Sequence, residues 1–142
     1  MVTPKDCKTK FGEPDLHFEQ TWMTLFDVPV NLEIGVIPKK LYCNKLMVAP
    51  LKQAFTNLIE RKFVNEMKTW DGCFCVRNTR GLPNPSLHSW AVAVDLNAAW
   101  NGLGKDPVLT PGFVKCFTDA GFDWGGEWAR KDGMHFQLKT LE

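Results

Sequence analysis

At 142 residues the chain has the length of one domain and can bury a single core without disulfide or metal staples. Its 17 basic and 16 acidic residues leave a net charge of +1, so it carries no basic field for sequence-independent nucleic-acid binding, and nucleic acid is not an expected partner. Hydrophobic residues make up 44% of the chain, enough for a core, yet no stretch is long enough to span a bilayer, so no membrane insertion is expected.

In chain order, residues 1–30 read as an irregular segment interrupted by Pro4, Pro14 and Pro29. Leu32, Ile34 and Val36 alternate as in a strand. Pro50 suits a first helical position, and Leu51, Phe55, Leu58, Ile59 and Phe63 follow on one helical face, which predicts a core-facing helix. Gly81 to Pro85 is a loop that either shapes a cleft or turns the chain. From Trp90 to Leu96 the pattern alternates again: Trp90, Val92, Val94 and Leu96 face a core, and Ala91, Ala93 and Asp95 face the other side. A second helix is punctuated by Thr110 as cap, Pro111 in the first turn and Gly121 after the end, with Phe113, Val114 and Phe117 inward. A last strand puts Met134, Phe136 and Leu138 on one face, and His135 and Gln137 on the other. The predicted class is α+β: one domain over residues 1–142, with a small antiparallel sheet, helices on one face and a zinc site on the other.

Chemistry concentrates in Ser86–Asp95 and Lys131–Phe136. His88, Asp95 and His135 supply two imidazole nitrogens and a carboxylate oxygen, a donor set that holds Zn²⁺ and leaves one tetrahedral position for a reactive water. Asp132 is placed to be the base. Adjacent strands would bring Asp95 and His135 together, with His88 reaching them from a turn before its strand. The donor types alone also suit an iron facial triad, although the His88–Asp95 spacing is unlike the tight His-x-Asp of that class. His17 has no such context and reads as structural or surface.

These segments resemble the VanY-like D-alanyl-D-alanine peptidase family, most closely its bacteriophage endolysin branch. Ser86, His88, Ala93 and Asp95 match its Ser-x-His-x-x-Gly-x-Ala-x-Asp pattern, and Asp132, Met134, His135 and Phe136 match its later Met-His-Phe context. Asp71–Arg77 is similar to the family's arginine-bearing strand, and Ala120–Trp128 to the approach to the second histidine, so that the resemblance runs roughly over residues 43–142. Ala91 stands where the family has Gly, which should narrow the space over the sheet, and Gln137 stands where Glu often follows the His-Phe pair.

The resemblance implies a hedgehog/D-Ala-D-Ala peptidase-like fold and zinc-dependent hydrolysis of an amide bond in peptidoglycan stem peptides, between L-alanine and D-glutamate. Two alternatives stay open: a D-alanyl-D-alanine carboxypeptidase using the same site, and a non-catalytic zinc module that binds wall or protein. Arg77 is the expected stabiliser of the oxyanion, with Arg80 as the alternative. Trp124 and Trp128, flanking a Gly125-Gly126 hinge, are candidates for a cleft wall. Cys73 and Cys75 share one face of the arginine-bearing strand, and all five cysteines are expected as reduced thiols, those two as small buried hydrophobes. The implied partner is the wall stem peptide, met by a monomer. The implied location is the host bacterial cytoplasm, without a signal peptide, before release onto the wall.

Overall fold

The computed structural model describes residues 1–142. The N-terminal segment is not irregular. Helix α1 (Pro4–Phe11) starts on a capping box in which Thr3 and Asp6 satisfy each other's backbone amides, with Pro4 at the first helical position. Helix α2 (Leu16–Trp22) is capped by Asp15. The prolines that suggested an irregular segment sit at element boundaries: Pro4 in a first turn, where it gives up an amide that has no helical partner anyway, Pro14 in the bend before α2 and Pro29 at the start of a 3₁₀ turn.

Strand β1 (Met23–Asp27) pairs antiparallel with β2 (Lys40–Asn44) as a separate hairpin. The strand expected over Leu32, Ile34 and Val36 does not form. Val30–Leu32 is a 3₁₀ turn, and Ile34 and Ile37 are the buried pair, while Val36 is exposed. Gly35 and Pro38 favour turns over a continuous ladder.

Helix α3 (Val48–Glu60) begins two residues before Pro50 and buries Leu51, Ala54, Phe55 and Leu58; Ile59 and Phe63 pack at the margin of the core. Helix α4 (Pro111–Thr118) follows its sequence signals. The Thr110 hydroxyl accepts from the Phe113 amide, Phe113, Val114 and Phe117 point inward, and Gly121 adopts φ 111° just beyond. The second sheet has the order β3-β4-β6-β5, from Trp70–Gly72, Ala93–Leu96, His135–Leu138 and Phe122–Trp124, every pair antiparallel. Phe136 on β6 meets Phe117 of α4 at 4.7 Å between ring centroids and stacks on Trp124, so the apolar face of the sheet is sealed by aromatics. No helix is long and apolar enough to cross a membrane.

Two strand boundaries differ from expectation. β3 ends at Gly72, so Cys73–Arg77 runs on as irregular chain held by the bonds Cys75 N–His88 O and Ser86 N–Arg77 O. Cys75 is therefore exposed while Cys73 is buried. β4 begins at Ala93, and Trp90 belongs to a 3₁₀ turn, Leu87–Trp90, which Ala91 closes at φ 53°. Ala91 thus does not narrow the space over the sheet. It occupies the left-handed position for which glycine is the natural residue, at a cost of about 1–2 kcal/mol.

Candidate metal centre

The turn before β4 delivers His88. The Ser86 side chain accepts from the His88 amide, and the imidazole Nδ1 lies 2.8 Å from the Cys73 carbonyl. A carbonyl can only accept, so Nδ1 carries the proton and Nε2 presents a lone pair. Asp95 comes from the middle of β4. The ladder places it directly opposite His135, the first residue of β6. The His135 ring has Nε2 at 3.0 Å from Gln137 Oε1, which leaves Nδ1 facing inward.

His88 Nε2 and His135 Nδ1 converge on one atom, Asp95 Oδ1, at 3.2 Å and 3.4 Å. Neither approach has hydrogen-bond geometry, and both His88 Nε2 and Asp95 Oδ1 are buried without a partner. Buried polar atoms left unpaired are costly, and lone pairs aimed at a carboxylate repel it unless a cation lies between them. Zinc bonds of about 2.0–2.2 Å at tetrahedral angles set neighbouring ligand atoms about 3.4 Å apart. The donor set and its spacing therefore fit a zinc ion, all three ligand atoms lying within 4.8 Å of one another.

Charge in the metal-free cluster is tightly shared. Burial opposes ionisation of Asp95, but the His135 and His88 rings more than offset this and hold its carboxyl well below the usual range. Burial likewise opposes the His135 imidazolium, yet Asp95 beside it raises the His135 pKa above the ordinary histidine value. Asp132 reaches the cluster from the turn ahead of β6. Its Oδ2 is 4.0 Å from His135 Nδ1, and burial, aided by the Asp95 charge, raises its pKa.

The cluster opens onto a cavity of about 400 Å³, whose walls include Arg77, Arg80, Arg130, Trp128 and the N-terminal residues Met1–Pro4. The Gly81–Pro85 loop therefore shapes the cleft, through Leu82 and Asn84. Arg77 is exposed, and its guanidinium bonds the Asn78 carbonyl at 3.3 Å. Of the two tryptophans, Trp128 lines the cavity and lies 5.3 Å from the His135 ring. Trp124 instead donates to the Gly133 carbonyl and packs, partly buried, against the core. The Gly125-Gly126 pair is close packing and not a hinge: a Cβ on Gly125 would sit 2.6 Å from the Asp132 carbonyl oxygen, and one on Gly126 2.1 Å from the Trp124 ring. His17 is exposed and is not among the residues lining the cavity.

The sequence places Arg130 and Lys131 near the site as cations able to meet an anionic wall, and Arg130 does line the cavity, but its patterns do not single out the N-terminal wall, or Gln137 as a partner of His135. The only advance signal for Gln137 was its parity with His135 along the strand.

A small α+β fold thus brings a largely buried His-His-Asp cluster to the floor of a cleft with a carboxylate beside it, a donor set able to hold a metal ion next to a proton acceptor. Residues 80–138 match the model of a family described as D-alanyl-D-alanine carboxypeptidase, a stretch that contains His88, Asp95, Asp132 and His135. The match supports a cell-wall metallopeptidase. It leaves α1 to β3, and Arg77, outside. Comparison with curated proteins and with solved structures gives no match.

Proposed function

We propose that the chain is a zinc-dependent peptidoglycan hydrolase of the endolysin kind, cutting the stem peptide between L-alanine and D-glutamate. The observation that carries this reading is the pair of buried, unpartnered atoms His88 Nε2 and Asp95 Oδ1 aimed at one point beside Asp132. His88, Asp95 and His135 would hold the ion. Zinc bound there supplies a Lewis acid that makes water more acidic and polarises the scissile carbonyl.

The remaining chemistry falls to side chains of the chain itself. Asp132 accepts the proton of the attacking water and returns it to the leaving amine. Its raised pKa suits both tasks, since a base that must also act as an acid works best when its affinity for the proton lies nearer the operating pH. Arg77 opposes the negative charge that grows on the carbonyl oxygen, and Arg80 is the alternative. With Arg130, these residues give the cleft three cations, which favours a peptide rich in carboxylates such as one carrying D-glutamate. Trp128 forms an apolar wall beside the histidine.

The description of the matching family favours a second reading, removal of a terminal D-alanine by the same groups. A purely structural zinc site is disfavoured by Asp132, because such sites close their coordination and have no use for an adjacent base. The endolysin reading also carries a location: the cytoplasm of an infected bacterium until the wall becomes accessible, with the chain acting as a monomer. Mass spectrometry of purified peptidoglycan digested by the zinc-loaded chain, against a chelated control, tests the reading. Chelator-sensitive stem peptides beginning at D-glutamate are expected. Loss of terminal D-alanine alone would replace the endopeptidase with the carboxypeptidase, and an absence of products from zinc-bound protein would overturn both.

A further inference from the structure

Helix α1 touches both histidine-bearing segments, one at each end. Ahead of its first turn, the Val2 carbonyl accepts from Gln137 Nε2 at 3.1 Å. Beyond its last turn, the Gly12 carbonyl accepts from Trp90 Nε1 at 2.8 Å, and Trp90 ends the 3₁₀ turn that carries His88. Val2, Trp90 and Gln137 are all buried, so water does not substitute for these bonds. The helix is itself held firmly. Its capping box fixes Thr3 next to Val2, and Phe11 packs edge-on against Phe18 and Trp22.

The link through Gln137 has a direction. A backbone carbonyl can only accept, so the Val2 carbonyl obliges the Gln137 amide to turn its NH₂ toward α1 and its oxygen toward His135. That oxygen in turn obliges His135 to carry its proton on Nε2. The lone pair is then on Nδ1, the atom that faces Asp95. A glutamate at 137 could accept from His135 but could not donate to Val2.

We propose that α1 is a brace for the metal site and that Gln137, oriented by the Val2 carbonyl, is the positioning residue that selects the metal-binding nitrogen of His135. This rests on the metal-binding reading above and deepens it. The N-terminal helix lies outside the stretch matched by the family model, whereas Trp90 and Gln137, the residues it bonds, lie inside it.

Three measurements on the full chain test it: ring ¹⁵N shifts of His135 in the metal-free protein at a pH above its raised folded-state value, where the ring is neutral, zinc affinity by competition with a chromophoric chelator, and amide hydrogen exchange of the first turn of α1. The native chain should show the Nε2–H tautomer, and zinc should slow exchange in α1, because coupling between two sites is reciprocal. Gln137→Met should lose the tautomer preference and weaken zinc by about 10- to 100-fold. Gln137→Glu, whose oxygens need no orienting, should keep the tautomer and most of the affinity while exchange in the first turn of α1 ceases to respond to zinc. An unchanged tautomer and affinity in Gln137→Met would overturn the proposal, as would α1 exchange in the native chain that is indifferent to zinc. A native chain that binds no zinc would overturn the function proposed above. The ring tautomer and its loss in Gln137→Met, read without metal, would still decide whether Gln137 positions His135.

Discussion

Asp132 Oδ2 stands 4.0 Å from His135 Nδ1, near enough to feel the cluster's charge and too far to be hydrogen-bonded to it. A carboxylate with that freedom can serve a substrate without being a ligand. Asp132→Asn should therefore leave zinc affinity and melting temperature near native values while lowering kcat by about 10²–10⁴-fold. Turnover of stem peptide at native rates in this variant would remove Asp132 from the mechanism.

Metal addition should stabilise the fold. Free zinc at about a hundred times its dissociation constant contributes about 2.7 kcal/mol, which for a domain of this size raises the melting temperature by about 5–11 °C. Asp95→Asn should abolish most of that rise, since the negative charge of the shared ligand at the centre of the cluster is lost. Calorimetric scans with and without zinc check both statements.

The pH dependence should have opposite signs in the two forms. In the metal-free protein the raised His135 pKa contributes stability that is fully present below the unfolded imidazole value of about 6.5 and is lost as pH rises through the folded value. The lowered Asp95 pKa contributes stability above about 3.9 that is lost as pH falls through its depressed value. Zinc needs neutral imidazoles and expels their protons on binding. The zinc-induced rise in melting temperature should accordingly grow from pH 5.5 to pH 8, a trend that a scan series at fixed free zinc would show or reverse.

Gly125→Ala should separate packing from hinge motion. Its added methyl would press on the Asp132 carbonyl oxygen at 2.6 Å, and the Gly125 carbonyl already accepts from the Asp132 and Trp128 amides. We expect a loss of about 1–3 kcal/mol by denaturant titration together with reduced kcat, because the base itself is displaced. A flexible hinge would instead absorb the methyl with little change in stability.

The residue types of the metal cluster and the pairing of Asp95 with His135 were legible because strand periodicity and donor chemistry are both local. Helix α4 was legible for the same reason, with cap, proline and glycine all agreeing. What was hidden is non-local. Nothing near Val2 announces a bond to Gln137, 135 residues away. The strand expected around Ile34 failed because a short apolar run has no preference between a ladder and a turn until Gly35 and Pro38 are weighed. Cys73–Arg77 looked like a strand because its partner is a turn and a loop, which satisfy some of its amides without a regular ladder. Trp124 and Trp128 are alike in sequence, and only packing assigns one to the core and the other to the cleft.

The register of β6 has a consequence for quality control during folding. His135 and Gln137 alternate with Phe136 and Leu138, so a slip of one residue against β4 would turn the histidine into the aromatic core and expose Phe136 to the cleft. The burial of Phe136 against Phe117 and Trp124 therefore proofreads the metal site: the apolar side of the strand, which takes no part in the chemistry, ensures that only a correctly zipped sheet can become reactive.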